Sequence, residues 1–276
     1  MVSSKKLRKF IAPSILVVFL LSFSVPAVVS FQVSGLEQSP QSGLSSLTVS
    51  STNWSGYAAA TGTSPSPVVT AVYGSWVVQT VQASSSATYS SQWIGIGGLF
   101  KGDKSLIQTG SESDSSGGKT SYSVWWETLP QAETPINEKV SAGDVISASI
   151  VCISSCTSST QSWTITLSDV TQGWTFATTL SYSSSLKSAE WIDERPSQCV
   201  LVACKLTTLA DFGTASFGQD YTSVSGTGSA TIGGSTLPIG SLPHAAIVMD
   251  ASSGGSVIAQ PSALSADGTS FTIQWK

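Results

Sequence analysis

The chain has 276 residues, of which 10% are charged, with 16 acidic against 12 basic side chains, one histidine and four cysteines. That length holds one large β domain or two small ones, and an acidic balance with no basic patch argues against a nucleic-acid partner. A single histidine also leaves little with which to build a zinc site.

Lys5, Lys6, Arg8 and Lys9 form a basic head before an almost uncharged apolar run over residues 10–29. Small residues follow at 27–30, so residues 1–30 read as a secretory signal peptide. The run approaches bilayer-spanning length, and a retained anchor is the alternative. Pro13, Pro26 and the lack of a basic flank after the run favour cleavage, and the mature protein is then secreted and free of the membrane. Residues 31–50 are rich in Ser, Gln and Gly and read as a flexible linker or a short propeptide. The folded domain is expected over 51–276. Few charges among many hydroxyls also suit an acidic exterior, because such a surface changes little on acidification.

Within the domain, period-two alternation recurs where helical periodicity does not. Asn53-Trp54-Ser55-Gly56-Tyr57, Trp93-Ile94-Gly95-Ile96-Gly97-Gly98, Ser105-Leu106-Ile107-Gln108-Thr109-Gly110 and Tyr122-Ser123-Val124-Trp125-Trp126-Glu127 all sit in β-like sequence. In the last of these, Ser123, Trp125 and Glu127 share one strand face. Cys152 and Cys156 form one close couple and Cys199 and Cys204 another. In an exported chain they read as disulfides, with local pairing expected and crossed pairing the alternative. Trp163, Ile165 and Leu167 alternate with Ser162, Thr164 and Thr166, and Trp174, Phe176 and Leu180 alternate in the same way. Then comes Ser188-Ala189-Glu190-Trp191-Ile192-Asp193-Glu194-Arg195-Pro196-Ser197. Glu190, Ile192 and Glu194 share one face there, and four strand steps, about 13 Å, separate the two glutamates. That spacing is too long for a proton-sharing carboxyl dyad. Gly226-Thr227-Gly228, Gly233-Gly234 and Asp267-Gly268 mark turns, and Phe271, Ile273 and Trp275 close the chain with another alternating strand. Many short strands so spaced predict an all-β fold, an antiparallel sandwich.

His244 has no metal-ligand partners in H-E-x-x-H spacing and no serine elbow to serve, and no D-T-G or D-S-G signature occurs. Asn53-Trp54-Ser55 is formally a glycosylation sequon.

Taken in order, the five motifs from Asn53 to Cys204 resemble the glutamic peptidases, the eqolisin family. The resemblance implies two packed, curved antiparallel sheets, of jelly-roll or concanavalin-like form, with a substrate groove on one concave face. It implies an endopeptidase without metal, cofactor or covalent intermediate, acting on polypeptides and expected to be monomeric. Glu194 and Gln108 match the family's catalytic pair. Glu194 is expected to take a proton from water, and the Gln108 amide to hold the oxyanion. Trp54, Trp93, Trp125 and Glu127 are placed on the substrate face. Family members commonly carry acids where this chain has Gly97 and Ser123, so the groove is expected to have fewer secondary carboxylates. The rival function is a lectin-like sandwich holding glycans on its aromatic face. A Glu and a Gln facing each other across a groove favour the peptidase, since a lectin needs no such pair. A surface-layer or adhesive protein is a third reading, and it requires a retained anchor.

Overall fold

The computed structural model describes residues 22–23, 47–61, 67–200 and 203–276, with the side chains of 22–23, 199–200 and 203 excepted. Most of the expected signal peptide and linker lies outside these residues. Leu47–Ser51, largely assigned to the linker by sequence, is a strand. It pairs in parallel with His244–Asp250, the one parallel ladder among the described residues. Its Leu-Thr-Val start fits a pleated ladder, although its side chains are mostly exposed.

One sheet runs, in spatial order, through Thr134–Ile136, Lys119–Thr128, Ile107–Ser116, Ser91–Ile96, Ser188–Glu194, Trp54–Ala60, His244–Asp250 and Leu47–Ser51. The second runs through Trp174–Tyr182, Gln161–Asp169, Val145–Ser154 and Val69–Val77. From Val69–Val77 the ladder continues by way of Thr214–Phe217, Phe271–Trp275 and Val257–Pro261 back to His244–Asp250. The two sheets are thus hydrogen-bonded to each other along one side.

The alternation read in sequence is what fills the space between them. Trp163, Ile165 and Leu167 are fully buried while Ser162, Thr164 and Thr166 are half-buried on the outer face. Ile94, Ile96, Ile107, Ile146, Ile150 and Trp191 join them in one core, and each such side chain contributes roughly 1.5–3 kcal/mol on leaving water. The first sheet also carries a second apolar cluster on its other face, built from Trp54, Ala58, Trp93, Leu106, Trp125, Ile192 and Ile247. Ser188–Glu194 lies in the middle of that sheet, paired on both edges, and every one of its seven residues is buried. Odd positions serve the core and even positions the second face.

The Cys152–Cys156 disulfide is present. Cys204 is disulfide-bonded and stands opposite Cys199 in the ladder; the Cys199 side chain lies outside the described residues.

Candidate active site

Cross-strand register sets the site out as a grid on the second face. Glu194 lies opposite Ser91, which lies opposite Glu112, which lies opposite Ser123. Ile192, Trp93, Gly110 and Trp125 form the next row, and Glu190, Gly95, Gln108 and Glu127 the one after. Glu194 and Gln108 therefore sit on the same face two rows and two strands apart, and no hydrogen bond joins them among the described residues. Glu127 connects them: its Oε2 accepts from Gln108 Nε2 at 2.5 Å, and its charge acts on the Glu194 carboxyl.

Glu194 is only 1% exposed, and both of its oxygens receive donors. Trp93 Nε1 donates to Oε2 at 2.9 Å and Asn53 Nδ2 to Oε1 at 3.2 Å. Burial pushes the carboxyl up to about 8. The Asn53 and Trp93 donors oppose that rise, Glu127 adds to it, and the Trp54 N–H again favours the ionised form. Trp54 Nε1 makes no hydrogen bond among the described residues, and its influence is the weakest of the three. Burial thus outweighs the donors on both oxygens and favours the neutral form of this carboxyl.

Gln108 is fully buried, and among the described residues nothing donates a hydrogen bond to its Oε1. The three tryptophans assigned to this face are all there, but none exposes more than 4% of its surface. Trp54 meets Trp93 edge to face at 5.0 Å between ring centroids, and Trp125 Nε1 donates to Ser91 Oγ at 3.2 Å.

Asn53 is the participant that sequence reasoning passed over as a site residue. It is 4% exposed and points at Glu194, so its sequon offers no access to a glycan. Its position beside a motif tryptophan was the available signal. The acids were also undercounted. Glu112 and Asp114 follow Gln108 at even spacing on its own strand, and Ser123, standing where the family carries an acid, donates to Glu112 Oε2 at 2.9 Å. Burial, then Glu112, pushes Asp114 up to about 8; burial, then Glu112, Glu127 and Asp114, pushes Glu133 up to about 9. Gly97 has no room for an acid, since a Cβ there would lie 2.6 Å from Ser105 O. Asp103 comes back over this turn instead. It accepts from the Gly98 N–H at 3.2 Å, the Ser105 N–H at 3.0 Å, Ser105 Oγ at 2.8 Å and Ser185 Oγ.

His244 lies elsewhere, its Nδ1 2.8 Å from Leu242 O and its ring beside Tyr57. Among the described residues no group of three or more His, Cys, Asp or Glu side chains could hold a metal ion, and no helix is long and apolar enough to cross a membrane.

The Peptidase A4 family model matches residues 52–273. Aspergillopepsin-2 of Aspergillus niger is 28% identical over 208 residues, 74% of this chain and 64% of that protein, so the chain spans a little under two thirds of its length. Among solved structures, Scytalido-glutamic peptidase with a peptide-based transition state analog superposes with a TM-score of 0.61 at 21% identity, covering 82% of this chain and 98% of the other, a likeness of fold. Aspergilloglutamic peptidase from Aspergillus niger superposes with a TM-score of 0.53 at 28% identity, over 68% of this chain and 99% of the other.

Proposed function

From its membership of the Peptidase A4 family, to which this chain belongs, we propose that the protein is a secreted, acid-acting endopeptidase in which Glu194 activates water and Gln108 holds the oxyanion. The observation that carries this reading is the setting of Glu194. It is a buried carboxyl with a donor on each oxygen, on the same face as a buried carboxamide whose oxygen is free. Residues 1–30 act as the export signal, and the mature chain works as a monomer on polypeptides.

A general base must be ionised when water attacks. Burial is the largest cause of the raised Glu194 value, so admitting water, which the reaction needs as nucleophile, acts against that penalty and favours the ionised form. Asn53 and Trp93 then hold the ionised form in place. Glu194 takes the water proton as the new C–O bond forms, and Gln108 Nε2 turns from Glu127 to the developing oxyanion. The protonated Glu194 returns its proton to the leaving amine as the C–N bond breaks. The Gln108 Oε1, without a partner, is available to orient the water.

The test is to incubate the purified mature protein with a denatured protein at about pH 3–4, with pepstatin and a chelator present. Cleavage is expected to continue under both, and Glu194→Gln is expected to reduce it to background at every pH. Strong inhibition by chelator, or substantial activity in Glu194→Gln, overturns the reading.

A further inference from the structure

We propose that Gly95 is a positioning residue: the room it leaves on the sheet seats the Trp93 ring so that its indole N–H reaches Glu194. The proposal rests on the reading of Glu194 as the working carboxylate. Trp93 and Gly95 are two residues apart on one strand and so share a face. The six-membered end of the Trp93 ring lies over Gly95, where a Cβ would stand 2.8 Å from Cζ3 and 2.9 Å from Leu106 Cδ1. The ring cannot retreat into solvent, because Trp93 is fully buried and Trp54 closes on it edge to face. Gly110, its neighbour in the grid, is equally tight: a Cβ there would lie 2.6 Å from Trp93 Cβ and 3.0 Å from Trp125 Cζ2.

Gly95 is not among the positive-φ glycines, so its torsions do not demand a glycine; the space does. An alanine there is compatible with the strand and adds only a methyl group under the ring. A rigid, enclosed indole pushed at Cζ3 must pivot, and its Nε1 then leaves the line to Glu194 Oε2, now 2.9 Å away. Hydrogen bonds weaken steeply with such misalignment. A donor to the ionised carboxylate is thereby lost, which disfavours that form and raises its titration by about one pH unit.

The test is a carboxyl NMR titration of protein labelled at glutamate side chains, with the Glu194 signal identified by its loss in Glu194→Gln. Wild type, Gly95→Ala, Trp93→Phe and the double variant are compared. Phenylalanine removes both the N–H and Cζ3. Gly95→Ala and Trp93→Phe are each expected to raise the Glu194 midpoint by about one unit, and the double variant no further than Trp93→Phe alone. On a peptide substrate, the acid limb of kcat should move by the same amount, with KM changed less. An unshifted Gly95→Ala midpoint, or additive shifts in the double variant, overturns the proposal. If Gly95→Ala fails to fold, the double variant should fold; if it does not while Trp93→Phe does, the ring is not what the space serves and the proposal falls. A shifted titration in a protein without peptidase activity would uphold the seat and remove only the proposed function.

Discussion

Asp193→Asn should make the protein more tolerant of rising pH. Asp193 lies on the core side of the strand that carries Glu194, fully buried, accepting from Ser90 Oγ at 2.7 Å. Burial pushes its carboxyl from the ordinary 3.8 to about 8, against the pull of Ser90 and Gln79. Between those two values the folded protein keeps a proton that the unfolded chain has released, so stability falls as pH rises. The contribution is fully present below about pH 4 and is lost on the way to about pH 8. At about 1.4 kcal/mol per pH unit, that window is worth at most ~6 kcal/mol, and less where water reaches the carboxylate. Asparagine keeps an acceptor for Ser90 and does not titrate. Urea unfolding at intervals from about pH 4 to about pH 8 should give variant and wild type similar midpoints at the acid end. A gap in the variant's favour should then widen by several kcal/mol. Parallel curves would mean that Asp193 ionises in the folded state as freely as in the unfolded chain, and would refute the reasoning.

Gln108→Ala should lower kcat by about 10²–10³ while leaving KM close to wild type, because the oxyanion exists only in the transition state. Asn53→Ala removes the donor to Glu194 Oε1 and should shift the acid limb of the kcat profile upward by about one pH unit; a superimposable profile would take Asn53 out of the site. Replacing both Cys152 and Cys156 with serine opens a disulfide of sequence separation 4 and should cost about 2 kcal/mol in urea unfolding without altering acid activity.

The fold was legible because its strands alternate in plain sight. Trp163, Ile165 and Leu167 face the core, as their spacing requires. The even positions of Ser188–Glu194 were equally legible, and the structure puts Ile192 in the second cluster with the motif tryptophans. Three features were not legible. Alternation assigns a face but not a register, so nothing in sequence places Glu127 opposite Gln108 or sets Gln108 and Glu194 two rows and two strands apart. Nor does it say how dry a face is, and it is burial that raises the titration of Glu194. Finally, Asp103 reaches the Gly98 N–H by the path of a turn, and composition does not encode that path.

Three carboxyls on one strand raise the question of which can work as a base, and their partners separate them. Asp193 faces the core, away from Gln108, with Ser90 Oγ donating to one of its oxygens. Glu190 faces the right way and even shares the row of Gln108. Yet the gap at Gly95 between them is taken by the Trp93 and Leu106 side chains, and neither Glu190 oxygen has a hydrogen-bond partner. Burial, then, pushes Glu190 well above its ordinary value; Ser188 alone favours its ionised form, and Asp103 opposes it. Only Glu194 combines a place on the second face with donors on both oxygens. A base has to stabilise its own charge before it can take a proton from water, and that requirement selects Glu194. Glu190→Gln, which preserves the shape of a neutral carboxyl, should therefore retain most of the peptidase activity in acid; its loss, with activity surviving in Glu194→Gln, would move the catalytic role two strand-face repeats back to Glu190.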